Sequence, residues 1–86
     1  MKLVRISAIW CTSCILTYND FNEIKEEYSN LEYEELDYDT DDIDFYNVGN
    51  ILPVIIIYKD NKEITRIIGE KRKKDIKKVL EELGCW

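Results

Sequence analysis

Histidine is missing from these 86 residues altogether. Its absence removes every Cys/His and Ser/His catalytic pair and the commonest protein ligand of metals. Proline occurs once, at Pro53, and glycine three times; no low-complexity linker or internal repeat divides the chain. Long apolar runs are lacking too. The longest, Ile51 to Tyr58, has the length of a strand and falls far short of the ~20 residues a membrane span needs. Cysteine is sparse and odd in number, at Cys11, Cys14 and Cys85, too few for a disulfide-dense secreted scaffold. Lys2 and Arg5 stand near the N-terminus, but Arg5 interrupts the apolar segment and no small-residue cleavage site follows, so no secretory signal is expected. A reducing, cytoplasmic setting without membrane attachment is the expectation. A surplus of positive charge is absent as well: the net charge of −6 disfavours general nucleic-acid binding.

What is present fits one domain spanning residues 1–86, with no room for a second core. A chain this short removes only about 60–65% of its unfolded surface from water, which predicts a thin margin of stability. Charge is unevenly placed. Between Asp20 and Asp44 a dozen carboxylates face the single Lys25, whereas Lys59 to Lys78 is richer in Lys and Arg. These read as a solvated acidic edge and a solvated basic helix face, with steering of a partner by the acidic side as the alternative.

The chain is organised around Trp10-Cys11-Thr12-Ser13-Cys14. Leu3, Val4, Ile6, Ala8 and Ile9 before it read as one strand. Cys14, Ile15, Tyr18, Phe21, Ile24 and Tyr28 after it recur at three- and four-residue steps and mark one apolar face of a helix from about Thr12 to Tyr28. The tyrosine-bearing stretch from Leu31 to Tyr38 predicts a second strand. Asp41 or Asp42 is placed to cap a short helix carrying Ile43, Phe45, Tyr46 and Val48, closed by Gly49-Asn50. The β-branched run from Ile51 to Tyr58 predicts a strand buried on both faces, with Pro53 at its first residue because proline has no N–H for the ladder. Lys59-Asp60-Asn61-Lys62 turns the chain into a fourth, antiparallel strand over Glu63–Ile68, and Gly69 breaks it. Ile76, Val79, Leu80 and Leu83 define a last amphipathic helix from about Glu70, with Gly84 at its C′ position. The order β-α-β-(α)-β-β-α predicts an α/β fold. Its crossover gives a parallel pair, its hairpin an antiparallel one, and helices on both faces cover a mixed four-stranded sheet.

A Cys-x-x-Cys alone suits redox chemistry, half of a zinc site or an inert buried pair. Structural zinc takes four ligands, and Cys85 supplies only a third with no histidine to complete the set, so no metal is expected. The Trp-Cys-x-x-Cys after the first strand, Pro53 about forty residues later at a strand start, the Tyr58–Glu63 hairpin, Gly69 and the final helix together resemble the thioredoxin family over nearly the whole chain. In length the sequence is closer to glutaredoxins or short archaeal-type thioredoxins. The resemblance implies that Cys11 attacks a disulfide, that Cys14 resolves the mixed disulfide, and that Leu52-Pro53 is a cis peptide beside the dithiol. Trp10 then flanks the site, and the Leu52 backbone lies where an extended substrate pairs as an added strand. Those roles agree with general chemistry: the thiolate is the attacking form, and free N–H groups and the dipole at a helix N-terminus favour it.

The sequence also departs from the family. Thr12-Ser13 replaces the usual Gly-Pro, which is expected to raise the reduction potential. Arg5 stands where thioredoxins carry a buried aspartate, and Glu35 lies one residue from the position of that aspartate's lysine partner, which suggests a reversed ion pair, Arg5–Glu35, behind the dithiol. Cys85 reads as an incidental tail thiol, with a third redox thiol or an intermolecular disulfide as alternatives. The resulting expectation is a monomeric thiol–disulfide oxidoreductase without cofactor. It would act on protein disulfides and be recharged by a reductase or a low-molecular-weight thiol. A glutathione-dependent, glutaredoxin-like reductase and a non-catalytic peptide-binding module of the same fold are the alternatives.

Overall fold

The β-branched residues of the third strand set the architecture, because they need cover on both sides. In the computed structural model, which describes residues 1–84, strand β1 spans Lys2–Ser7, helix α1 Thr12–Glu27, β2 Glu32–Asp37, β3 Val54–Lys59, β4 Lys62–Ile68 and α2 Lys73–Glu82. Cys85 lies outside the described residues. The sheet order is β2-β1-β3-β4. β1 pairs in parallel with β2 and antiparallel with β3, and β3–β4 is an antiparallel hairpin. The mixed four-stranded sheet of the sequence reading is therefore present.

Alternation along the central strands divides the core into two layers. Leu3, Ile55, Ile57 and Ile67 face Phe21 and Ile24 of α1 and Ile76 and Leu80 of α2. Both helices thus lie on one face. Val4, Ile6, Val54 and Ile56 point the other way, where Leu36, Tyr38, Ile43, Tyr46, Val48 and Tyr58 pack against them. Burying an aliphatic side chain of this size contributes about 1.5–3 kcal/mol, and Ile56 and Ile57 in the centre of β3 are wholly inaccessible.

The cover of that second face differs from the expected helix. The segment after β2 forms only a single 3-10 turn, Asp44–Tyr46, ended by Asn47 in the left-handed region. Asp42 does accept from the Asp44 N–H at 3.2 Å, but Phe45 is 80% exposed, so Ile43, Tyr46 and Val48 cover the sheet from a loop rather than from a helical face. β3 also begins later than the apolar run suggests: Ile51 is exposed, and Leu52 and Pro53 precede the strand. Ile15 and Tyr18 of α1 are exposed rather than on its buried face. The two edges of the sheet are β2, carrying Glu32, Glu34 and Glu35, and β4.

Candidate active site: the dithiol at the start of helix α1

Strand β1 ends at Ser7, and the turn that follows delivers Cys11 to the N-cap of α1. The Cys11 N–H donates to the Ala8 carbonyl at 3.2 Å. Its backbone is extended, at φ −92° and ψ 110°, as a capping residue's must be. Cys11 Sγ then does what a Ser or Asp oxygen does at other N-caps: it accepts the Cys14 backbone N–H at 3.2 Å. A sulfur held against the free N–H groups of a first helical turn sits where negative charge is favoured. On its other side, Cys11 Sγ lies 3.6 Å from the Leu52 carbonyl oxygen. Cys11 is partly exposed, Cys14 is buried, and both are free thiols.

Cys14 lies buried in the first turn behind Cys11. Burial, and next its hydrogen bond with Cys11, push its thiol up to about 11, against the weaker opposing pull of the Ala8 backbone and the Arg5 charge. Thr12 and Ser13 occupy the first two helical positions. Among the described residues neither hydroxyl bonds to a sulfur; the Ser13 carbonyl accepts from Thr17 Oγ1 at 2.7 Å.

The Leu52–Pro53 peptide is cis, and the Pro53 carbonyl accepts the Gly69 N–H at 2.9 Å. Gly69 has φ +89°, a conformation glycine adopts without cost. Trp10 is 58% exposed. Its Nε1 donates to Asp39 Oδ2 at 2.6 Å, and its ring meets Tyr38 edge-on at 5.9 Å. Asp39 was not identifiable from the sequence, because it is one acidic residue among several in a turn. That turn is tied by Asp37 Oδ1, which accepts from the N–H groups of Asp39 and Thr40.

Behind the dithiol, Arg5 is 3% exposed. Its Nη2 donates to the Cys14 carbonyl at 2.8 Å, and its guanidinium lies 5.4 Å from the Phe21 ring centre and 5.9 Å from that of Tyr18. Arg5 and Glu35 are direct register partners on β1 and β2, with Nη1 3.9 Å from Oε1. Glu35 also holds Lys25 Nζ at 3.3 Å. The structure therefore brings Arg5 and Glu35 together, but the firmest bond of Arg5 is to the first helical turn. Its Nε has no partner among the described residues. No group of three or more His, Cys, Asp or Glu is placed to hold a metal ion among the described residues, and no helix there is long and apolar enough to cross a membrane.

The profile of the thioredoxin family matches residues 1–82. Thioredoxin-2 of Saccharomyces cerevisiae is 31% identical over 70 residues, covering 80% of this chain and 67% of the yeast protein. Thioredoxin H2 of Arabidopsis thaliana is 32% identical over 81 residues, covering 92% of this chain and 60% of its own length. The chain thus spans about two thirds of the length of these relatives or somewhat less. Among solved structures, Fasciola hepatica thioredoxin superposes with a TM-score of 0.86 at 22% identity, over 94% of this chain and 78% of its own. A malaria-parasite thioredoxin-2 gives 0.86 at 18% identity, over 94% and 81%. At those identities the likeness carries the fold.

Proposed function

The chain belongs to the thioredoxin family of thiol–disulfide oxidoreductases, and from that premise we propose that it reduces protein disulfides by dithiol exchange through Cys11 and Cys14. The observation that carries this reading is the placement of Cys11 Sγ as the side-chain cap of α1, 3.2 Å from the Cys14 N–H and open to solvent. The Cys11 thiolate attacks one sulfur of a substrate disulfide; a Cys11–substrate bond forms and the substrate's other thiolate leaves with the electron pair. Cys14, deprotonated, then attacks Cys11 Sγ, forming the Cys11–Cys14 disulfide and releasing the second substrate thiolate. The substrate is reduced by two electrons and the protein oxidised by two. A reductase or a low-molecular-weight thiol restores the dithiol, and no bound cofactor takes part.

Trp10, Leu52 and Pro53 form the substrate-facing surface in this reading. The Leu52 carbonyl, 3.6 Å from Cys11 Sγ, marks the line along which an extended segment adds its backbone. Thr12, Ser13, Arg5 and Glu35 tune the dithiol. The protein works as a monomer, as a single domain, in the cytoplasm.

Reduction of insulin by dithiothreitol in the presence of the protein tests the reading. Wild type is expected to accelerate it and Cys11→Ser to abolish the acceleration. An active Cys11→Ser would remove the mechanism. A wild type without effect that still binds reduced or alkylated insulin would make the domain a peptide-binding module. Acceleration that depends on glutathione would place it among glutaredoxin-like reductases.

A further inference from the structure

Resolution of the mixed disulfide needs Cys14 as a thiolate, yet Cys14 is 3% exposed and its burial opposes the charged form. On its front stands Cys11, bonded to the substrate. Behind it opens a cavity of about 310 Å³ lined in common by Cys14, Arg5, Tyr18, Glu35 and Asp37, roomy enough for several waters. We propose that Glu35 receives the Cys14 proton through water in this cavity, with Arg5 and Lys25 as the residues that position its carboxylate. The proposal rests on the dithiol reading given above and assigns the proton that reading leaves without a destination.

The other groups lining the cavity are poor acceptors. A phenol is a far weaker base than a carboxylate, and a guanidinium carries no lone pair. Asp37 Oδ1 is committed to the N–H groups of Asp39 and Thr40. Glu35 is held at 3.9 Å by Arg5 Nη1 and at 3.3 Å by Lys25 Nζ, and is open enough to pass a proton on to solvent. Arg5 also donates to the Cys14 carbonyl, so one side chain ties the carboxylate to the helical turn that carries the thiol. In the step itself the Cys14 S–H bond breaks and its proton passes by water to Glu35. The Cys14 thiolate forms the bond to Cys11 Sγ, and the bond from Cys11 to the substrate sulfur breaks with its electron pair on the departing thiolate.

Electrostatics alone predicts the opposite effect of mutation, which makes the test sharp. Neutralising Glu35 leaves the Arg5 charge uncompensated and favours the Cys14 thiolate, so a purely electrostatic or structural Glu35 speeds resolution when replaced by Gln. A proton acceptor slows it. The experiment loads Cys11 with 5-thio-2-nitrobenzoate by reaction with Ellman's reagent at low pH, then jumps the pH and follows release of the coloured thiol. Glu35→Gln is expected to release about a hundredfold more slowly than wild type near neutrality, and to recover rate with rising concentration of a small buffer base. Glu35→Asp, which keeps the carboxylate, is expected to recover part of the rate, and Asp37→Asn to show no buffer dependence. Release from Glu35→Gln as fast as wild type or faster would overturn the proposal. So would the same slowing and rescue in Asp37→Asn. A wild type that never releases the coloured thiol would instead remove Cys14 as the resolving group, and the proposal with it.

Discussion

Asp20, on the buried side of α1, caps a helix that begins 53 residues later in the chain. Its Oδ2 accepts the Lys73 backbone N–H at 2.9 Å and the Arg72 Nε–H at 2.7 Å, while Arg72, the N-cap of α2, makes no side-chain cap of its own. The Arg72 guanidinium first, and the Lys73 N–H beside it, hold the Asp20 carboxyl below the usual carboxylate range.

A folded-state pKa below the unfolded value of about 3.9 contributes stability that is complete above that value and lost as pH falls through the folded one. Asp20→Asn is therefore expected to be destabilised by about 1 kcal/mol at neutral pH. The gap from wild type should close in acid. Urea unfolding of both proteins from neutral pH down to about pH 3 checks this.

Arg5→Met separates stability from chemistry. Removing one member of an ion pair is costly when the other is left buried and uncompensated, but Glu35 keeps Lys25 and solvent, and the desolvation cost of the buried Arg5 charge is relieved. Wild-type stability or slightly better is expected. The Cys14 thiol, losing a charge that pulls its pKa down, should titrate higher than it does with Arg5 in place. Urea midpoints and the pH dependence of thiolate absorbance in a Cys11→Ser background read the two effects.

Asp39→Ala frees the Trp10 indole without touching the thiols. The expected result is a KM for a protein disulfide raised severalfold with kcat unchanged, and stability within about 0.5 kcal/mol of wild type. An unchanged KM would show that the orientation of Trp10 does not matter to substrate.

Thr12→Gly with Ser13→Pro should lower the reduction potential toward the value of about −270 mV known for thioredoxins. Proline is tolerated in the first turn of a helix, so the fold should survive. Equilibration of each protein with glutathione redox buffers measures the difference, and a potential no lower than wild type would contradict the role assigned to these two positions.

Most of the frame could be read from local pattern. The β-branched density of Val54–Ile57 fixed a strand covered twice, and Asn61 at φ 64°, beside Asp60 at φ 53°, is the left-handed turn that Asp-Asn forecasts. The misplaced features share another cause, which is contact at long range. α2 starts at Lys73 rather than Glu70 because Asp20 holds its first N–H, and nothing near Glu70 records that. Ile15 and Tyr18 sit at helical spacing with the core residues, yet they fall beside the open cavity behind Cys14 and stay exposed. The middle helix failed for a local reason: left-handed Asn47 stops the turn after three residues. At the site, the Cys-x-x-Cys and the downstream proline were legible as a motif. The partnership of Trp10 with Asp39 was not, since only the register of β1 on β2 brings the turn after β2 to the dithiol.

That register has a further effect. Strand β2 lies at the margin of the sheet with backbone hydrogen-bonding groups open to the side, the kind of margin on which a second chain's strand can build. Glu32, Glu34 and Glu35 line it. Their mutual repulsion charges an approaching copy, with the same carboxylates on its own margin, an electrostatic penalty. The guard is made of exposed charges, so it reaches only as far as the ions of the surrounding solution allow. Where salt is high, the carboxylates that keep copies apart are masked, and the open strand becomes a template for another.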